Sequence, residues 1–398
     1  TIYEKGAELI RMLELLLGKE KFFKGINLYI KTFDGRAATT EDFIYSLIKG
    51  AYLEEINCPF DLKKFLNWYY KSGTPKVYIS QSWDSKNSIL NVSFEQKIDC
   101  DITNKNIEMV IPILYSCYSR KKGSLPIAED NLFVLDKNKM NLQIKTPPGE
   151  KEAPVLSLFR RFSSPVLWES DLSIDDYLYL FLNDNDYFSR WDSGQYLMRE
   201  IIRARLFNKA NHLLEDRFIS AIKQSIISLE INDPFFLATL LTIPGFAELE
   251  SLLNKVDPIN IYRESLKFQI LIGNEILQQL GKLAKNLFVK IDHEWPMGRG
   301  ERKLLGIAWS YLTLVGDKKV QKICVESISH SSMTIARTAL SALKPLDSID
   351  TEKASNLFYN LWKENPVVLD SWFAYEASRP SKKGIDGIEK LLSHSKFD

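Results

Sequence analysis

Along the first 75 residues, apolar side chains recur every three or four positions. Leu9 and Leu13 belong to the first such run, and this spacing places them on one face of a helix. Three more runs of the same kind follow, and the third predicted helix begins at Thr39 or Thr40, either of which can cap it. Residues 1–75 are therefore predicted to form four short helices. This small unit is expected to pack against another part of the protein.

From residue 77 to about residue 166, apolar and polar positions alternate, which is the pattern of half-buried strands. Clusters of Asp, Asn, Gly, Pro and Ser separate the runs and predict turns. Six or seven strands at this spacing favour a small β-sandwich. The predicted strands cover residues 77–79, 89–94, 111–118, 132–135, 140–144 and 155–158.

From Ser173 onward the helical spacing returns, without any intervening strand pattern. No fixed repeat period is visible, so a strict repeat family is not supported. Many short helices in succession favour a bundle or a superhelical array. Beyond residue 202 the predicted helices cover residues 213–229, 234–243, 247–254, 258–282, 301–315, 318–327, 332–343 and 351–363.

Charge and cysteine content narrow the class of protein. The chain contains 52 Lys and Arg against 51 Asp and Glu, so no whole-chain attraction for nucleic acid is expected. Two basic clusters, Arg120–Lys122 and Arg160–Arg161, are interpreted as solvated surface loops. Scattered cysteines without a CxxC pair favour a reducing compartment. The cysteines are Cys58, Cys100, Cys117 and Cys324.

The chain shows no pattern for insertion into a membrane. Its most apolar stretch, residues 235–241, is cut off by Pro244 and Gly245 and is too short to span a bilayer. No secretory signal is visible. We therefore predict a soluble, cytoplasmic protein with neither a nucleic acid nor a membrane among its partners.

No complete catalytic motif stands in the sequence. His293 and Glu294 begin like the zinc-binding HExxH helix, but Met297 occupies the place of the second histidine and Pro296 would interrupt the helix. A loop before a helix that begins near Gly300 is the alternative interpretation. The GxSxG, GxxxxGK and GxGxxG motifs are also missing, so no metal ligand or cofactor site is predicted in this chain.

Several short motifs nevertheless occur in a recognisable order along nearly the whole chain. They are Tyr3–Glu8 with Ile10–Met12, Asp34–Phe43, Trp68–Tyr69 with Ser72–Pro75, Phe162–Val166, Phe188–Asp192, Asp233–Pro234 with Leu241–Pro244, and Asn365–Pro366 with Asp370–Phe373. Together they resemble the aminopeptidase N family of zinc peptidases (gluzincins), in its bacterial alanyl-aminopeptidase branch.

The resemblance implies a multidomain α+β fold in three parts. Residues 1–75 would be the C-terminal part of a thermolysin-like catalytic domain, residues 76–170 a β-sandwich, and residues 171–398 a large α-helical superhelical domain. The last residues resemble an internal segment of the family, so this helical domain is expected to be incomplete.

In the family, the zinc helix, its third ligand and the substrate-recognition loop all precede the motif at Tyr3. The resemblance therefore implies that zinc is bound in a full-length parent, with a glutamate base and a zinc-activated water, and that this chain binds none. The parent would hydrolyse N-terminal residues from peptide substrates. Its other partner would be the missing N-terminal part of the catalytic domain.

Tyr3 is the one catalytic residue that the resemblance carries over to this chain. The matching tyrosine donates a hydrogen bond to the oxyanion of the tetrahedral intermediate. The residues alone favour a different interpretation, in which Tyr3 is an aromatic at a helix start that packs on the core, and only the resemblance reverses that preference. Gly6 is interpreted as a close helix contact, and Arg190 as part of a buried ion pair. The other motif aromatics, interpreted as core or domain contacts, are Trp68, Tyr69, Trp191, Trp372 and Phe373.

Two functions are thus open. The first is part of a zinc-dependent aminopeptidase, inactive without the remainder of its catalytic domain. The second is a non-enzymatic helical scaffold, with the β-sandwich as a spacer. The scaffold accounts for the helix-rich second half and the missing ligands, but it does not account for the motif at Tyr3.

Overall fold

A computed structural model of the protein describes residues 2–52, 58–98, 107–120, 126–229, 233–253, 255–289, 297–380 and 384–397. The chain divides into two compact units, Thr1–Ser193 and Gly194–Asp398.

Four helices open the first unit, as predicted: α1 (Ile2–Leu17), α2 (Lys19–Phe33), α3 (Thr40–Ala51) and α4 (Leu62–Tyr70). Thr39, not Thr40, caps α3. Its hydroxyl oxygen accepts from the Asp42 backbone N–H (3.2 Å), and the Asp42 carboxylate accepts from the Thr39 N–H (2.9 Å). This reciprocal capping box fixes where α3 begins.

The crossing of α2 and α3 depends on two glycines that the sequence pattern did not single out. A Cβ on Gly25 would lie 2.5 Å from the Leu47 Cα, and one on Gly50 would lie 2.5 Å from the Gly25 Cα. No side chain fits at these distances, so the two backbones touch. The close contact predicted for Gly6 is wrong within the described residues, because a Cβ there meets no atom within 4 Å.

Seven described strands form the predicted sandwich: β1 (Lys76–Asp84), β2 (Ile89–Lys97), β3 (Ile111–Tyr118), β4 (Pro126–Leu135), β5 (Lys139–Lys145), β6 (Val155–Ser157) and β7 (Leu167–Ser170). One sheet has the order β5-β2-β1-β7 and the other β4-β3-β6. All pairs are antiparallel except β1 with β7, which run parallel from the register pair Lys76 and Leu167. Strand β7 was not predicted, since its four residues carry no clear alternation.

Strand β3 lies at the centre of its sheet and is buried at all eight positions. Its sequence is accordingly a nearly continuous apolar run, as expected for a strand covered on both faces. Helix α1 packs against it within the first unit. Helix α1 therefore packs on a strand that lies in the interior of this unit.

Helices follow the sandwich: α5 (Ile174–Asn183), α6 (Tyr187–Leu206), α7 (His212–Leu229), α8 (Pro234–Leu240), α9 (Phe246–Glu250), α10 (Pro258–Glu275), α11 (Leu277–Phe288), α12 (Arg299–Leu314), α13 (Lys318–Ser327), α14 (Met333–Leu343), α15 (Ile349–Trp362), α16 (Pro366–Ser378) and α17 (Gly384–Leu392). The helix predicted over residues 258–282 is two helices divided at Ile276. Helices α16 and α17 were not predicted.

Helix α12 forms the centre of the second unit, where Leu305, Ala308, Trp309 and Leu312 are at most 1% exposed. It packs against α8, α11 and α14. The Tyr311 hydroxyl donates to the Leu241 carbonyl at 2.8 Å, which satisfies the one polar group of that buried ring. In the described residues, no helix is both long and apolar enough to cross a membrane.

Candidate active-site helix and its support

Tyr3 lies in the first turn of α1, and its side chain is 89% exposed. The buried stripe of this helix consists of Leu9, Met12, Leu13 and Leu16. Met12 follows Tyr3 by nine residues, about two and a half turns, so the two side chains point to opposite sides. Tyr3 therefore does not pack on the core of this chain, and its hydroxyl faces outward from a well-anchored helix.

Lys5 ties the start of α1 to the loop that follows α4. Its Nζ lies 3.4 Å from the Gly73 carbonyl oxygen and 5.9 Å from the centre of the Trp68 ring. Trp68 is buried, and its indole N–H donates to the Val110 carbonyl at 2.9 Å. The interpretation of Trp68 as a core or domain-contact aromatic is confirmed.

Arg11 ties the middle of α1 to a second segment. Its Nε donates to Glu8 Oε2 at 2.8 Å, one turn earlier on the same helix, and its Nη2 donates to the Phe162 carbonyl. Glu8 thus orients the guanidinium, and the Phe162 carbonyl receives it. This contact joins α1 to a segment 151 residues away in sequence.

The segment that receives Arg11 has an unusual backbone. Phe159, Arg161 and Phe162 have φ angles of 51°, 53° and 54°, in the left-handed region that residues with a side chain rarely adopt. Each such residue costs about 1–3 kcal/mol and persists only where its surroundings hold it.

Arg160 supplies that support from the middle of the segment. Only 2% of its surface is exposed, and its Nε lies 2.7 Å from Asp130 Oδ1. Its Nη1 donates to Asp184 Oδ1 and to the Tyr118 hydroxyl (3.1 Å), and its Nη2 donates to Asn185 Oδ1. We call these five residues the Arg160 cluster. It joins strands β3 and β4 to the segment before α6.

The interpretation of Arg160–Arg161 as a solvated loop is wrong for Arg160 and right only for Arg161, whose side chain is 63% exposed. The neighbouring apolar residues Leu158, Phe159 and Phe162 are the signal that could have shown this. Likewise Arg120, from the other basic cluster, pairs with the nearly buried carboxylate of Asp176. Lys121 and Lys122 lie outside the described residues.

Burial sets the electrostatics of the Arg160 cluster. It raises the pKa of the Tyr118 phenol, and the nearby Asp184 carboxylate raises that pKa further. Burial alone would lower the pKa of Arg160, but Asp184, Asp130 and Tyr118 together outweigh it and the pKa is raised. Arg190 is also buried, as predicted, and its Nε donates to the Phe181 carbonyl at 3.1 Å. The ion pair at the centre of this junction is nevertheless that of Arg160 with Asp184.

Two of the motifs recognised in the sequence meet beside this cluster. They are the motifs at residues 162–166 and 188–192. Ser163 Oγ accepts from the Leu114 N–H at 3.1 Å, which joins the motif at residues 162–166 to β3. The Phe162 and Phe188 rings lie 5.3 Å apart. The Asp186 carboxylate accepts from the N–H groups of Arg161 (3.0 Å) and Ser189 (2.9 Å). These motif residues therefore share one structural role, the support of the segment that contacts α1.

The described residues contain no group of three or more His, Cys, Asp or Glu side chains that could hold a metal ion. His293 and Glu294 lie outside the described residues, as does Cys100. Helix α12 begins at Arg299, after Gly298 in the left-handed conformation, in agreement with the predicted start near Gly300. Burial raises the pKa of Cys117 and of Cys324 to about 12, so neither thiol is a nucleophile at neutral pH.

Family models match three successive parts of the chain. A peptidase family M1 domain matches residues 1–69, and a domain of unknown function (DUF3458) with an Ig-like fold matches residues 73–171. A domain of unknown function (DUF3458_C) with ARM repeats matches residues 174–398, more than half of the chain. In chain order the three models are thus an M1 peptidase domain, an Ig-like domain and a helical domain. The chain belongs to the M1 aminopeptidase family, and the predicted multidomain α+β fold is confirmed.

Individual relatives match over the full chain. Aminopeptidase N of Caulobacter vibrioides is 28% identical over 100% of this chain and 45% of its own length, and aminopeptidase N of Escherichia coli is 26% identical over 100% and 46%. The crystal structure of Legionella pneumophila aminopeptidase A in complex with aspartic acid is 25% identical with a TM-score of 0.86, over 100% of this chain and 46% of that one. The chain thus spans about half the length of these relatives.

Proposed function

We propose that this chain is part of a zinc-dependent aminopeptidase, in which Tyr3 stabilises the oxyanion formed during hydrolysis of the N-terminal peptide bond. One observation carries the proposal. Tyr3 lies within the residues matched by the peptidase model and presents its hydroxyl to the outside of a helix that is anchored on its other side. The scaffold alternative does not account for the motif that contains Tyr3.

The chemistry needs a hydrogen-bond donor that keeps its proton. Hydrolysis of a peptide bond passes through a tetrahedral intermediate whose oxygen carries negative charge, and one positioned donor stabilises it by roughly 3–4 kcal/mol. A phenol is protonated at neutral pH and can donate. The zinc that the resemblance implies does not fit the described residues, which offer no ligand group for it. We therefore assign zinc binding to the remainder of the parent.

Replacing Tyr3→Phe in the full-length polypeptide tests this role. We expect kcat for an aminoacyl anilide to fall by about 10²–10³, because the donor is lost while the ring is kept, with KM changed by less than about threefold. Tyr45→Phe, on α3 and 42% exposed, is the matched control and should leave kcat unchanged. A Tyr3→Phe enzyme with the wild-type kcat would refute the assignment.

By itself, this chain is proposed to be inactive. Purified residues 1–398 should contain no stoichiometric zinc and should not hydrolyse the anilide, because the ligands are assigned elsewhere. Metal analysis and a turnover assay on the same sample check both statements. Stoichiometric zinc together with turnover would contradict them.

The remaining proposals concern organisation and surroundings. We place the domain boundaries near residues 75 and 170, as the change in pattern indicates. The rest of the catalytic domain is the proposed partner of the helical face where Phe23 and Ile30 are 50% and 54% exposed. Cys117 and Cys324 are free thiols, which supports a cytoplasmic location.

A further inference from the structure

Helix α1 must be held in one rotation about its axis and at one position along it if the Tyr3 hydroxyl is to donate a hydrogen bond to an oxyanion. Its apolar stripe fixes it only in part. Between α1 and the segment that contains Arg160 lies a cavity of about 340 Å³, lined among others by Arg11, Leu15, Leu114 and Ser163. On this side Arg11 reaches from α1 to the Phe162 carbonyl, to which its Nη2 donates a hydrogen bond.

We propose that Arg11 is a positioning residue for Tyr3: its hydrogen bond to the Phe162 carbonyl sets the placement of α1. This inference rests on the proposed function of Tyr3. Arg11 does not reach the reacting atoms itself, since it stands eight residues further along the helix, roughly 12 Å at 1.5 Å per residue.

The Phe162 carbonyl is suited to be the fixed end of this contact. Phe162 is held in the left-handed conformation, and Arg160, two residues earlier, is bonded to Asp130 and to Asp184. The next residue, Ser163, is bonded to β3 through the Leu114 N–H. A carbonyl held from both sides cannot follow α1 if the helix shifts.

The other end of the contact is also constrained. Glu8 accepts from Arg11 Nε at 2.8 Å, which leaves Nη2 directed at the Phe162 carbonyl. A rotation or shift of α1 would break this bond, and it would move the Tyr3 hydroxyl by a similar amount at the other end of the rigid helix. A misplacement near 1 Å at a catalytic group can cost on the order of 100-fold in rate.

The experiment is a double-mutant cycle in the full-length polypeptide. It uses the wild type, Arg11→Ala, Tyr3→Phe and the double variant, with an aminoacyl anilide as substrate. We expect Arg11→Ala to lower kcat about tenfold while KM changes less than about twofold, because the oxyanion donor is displaced and substrate binding is kept. In the Tyr3→Phe background the same change should alter kcat by less than about twofold, because no donor remains to be misplaced.

Two further variants separate positioning from folding. Arg11→Lys keeps a cationic donor within reach of the Phe162 carbonyl and should recover part of kcat, at an unchanged thermal midpoint. Lys24→Ala removes a surface ion pair with Glu20 on α2 without touching the segment at Phe162, and it should behave as wild type.

The possible failures are distinct. If Tyr3→Phe leaves kcat unchanged, the proposed function of Tyr3 is refuted, and this inference with it. If Tyr3→Phe is slow but Arg11→Ala is not, only the positioning role is refuted. If Arg11→Ala lowers kcat equally in both backgrounds, Arg11 acts independently of Tyr3 and the positioning role is likewise refuted.

Discussion

Arg160 in the first unit and Trp309 in the second are both almost closed to solvent, at 2% and 1% exposure, yet their surroundings differ. Trp309 shares α12 with the buried Leu305, Ala308 and Leu312, and its ring centre lies 5.6 Å from that of Phe288. Arg160 is surrounded by two aspartates, an asparagine and a tyrosine hydroxyl. An apolar interior tolerates small shifts, whereas a buried charged cluster is satisfied in one geometry only. The first unit therefore has a charged cluster, which is satisfied in one geometry only, at the segment that contacts α1.

Removing the charge of Arg160 from the Arg160 cluster is the strongest test of this difference between the two buried residues. Arg160→Met should lower the free energy of unfolding by about 3–5 kcal/mol, because Asp184 would remain buried without its counter-charge. Urea unfolding of the chain measures the loss. Arg161→Met, one residue along and exposed, is the matched control and should cost at most about 1 kcal/mol. Equal losses for the two variants would show that burial of the charge does not matter.

A smaller effect is expected from a buried polar group in the second unit, the Thr313 hydroxyl. The Thr313 hydroxyl donates to the Ala342 carbonyl at 2.7 Å and joins α12 to α14. Thr313→Val keeps the shape but leaves that carbonyl without its donor, at a cost of about 1–2 kcal/mol. Thr334→Val, at an exposed position of α14, should be neutral. A loss as large as that of Arg160→Met would erase the contrast between the two interiors.

The smallest effect belongs to an ion pair near the surface of the first unit. Lys64 Nζ lies 2.7 Å from Glu108 Oε2, and this contact lowers the pKa of Glu108 below its ordinary 4.5 and raises that of Lys64 above its ordinary 10.5. The stabilisation is present between these two ordinary values. It is lost as the pH falls through the lowered pKa of Glu108 or rises through the raised pKa of Lys64.

Lys64→Met should therefore cost about 0.2–1 kcal/mol at pH 7 and less as the pH falls below the ordinary pKa of Glu108. Urea unfolding at several pH values checks this difference. Lys63→Met, on the same helix, is the control. A cost for Lys64→Met that does not change with pH would show that the lysine acts through packing or through its hydrogen bond to the Asp136 carbonyl (2.7 Å), and not through Glu108.

Periodicity predicted most of the elements, and local chemistry predicted some of their limits. The stripe of Leu9 and Leu13 in α1, the apolar run of β3 and the cap at Thr39 are properties of neighbouring residues, so they can be recognised in the sequence. The split at Ile276 has no glycine or proline to mark it. The contact of Gly25 with Gly50 depends on how two helices cross, which no local pattern contains.

The support of the candidate site was the least predictable part. Arg160 reads as a surface residue because arginine is rarely buried, and its partners Asp130 and Asp184 stand 30 and 24 residues away. Tyr3 could be singled out only through the resemblance, since one tyrosine at a helix start has many uses. The resemblance did single out the motifs at residues 162–166 and 188–192. It did not show that the two motifs contact each other.

The parallel pairing of β1 with β7 has a mechanical consequence. The chain enters the sandwich at the start of β1 and leaves it at the end of β7, so tension along the chain pulls the two adjacent strands in opposite directions. The hydrogen bonds between the register pairs from Lys76 and Leu167 to Ile79 and Ser170 would then carry the load together, in shear, and not one after another as in a hairpin pulled open. The sandwich therefore resists extension between the helices on either side of it.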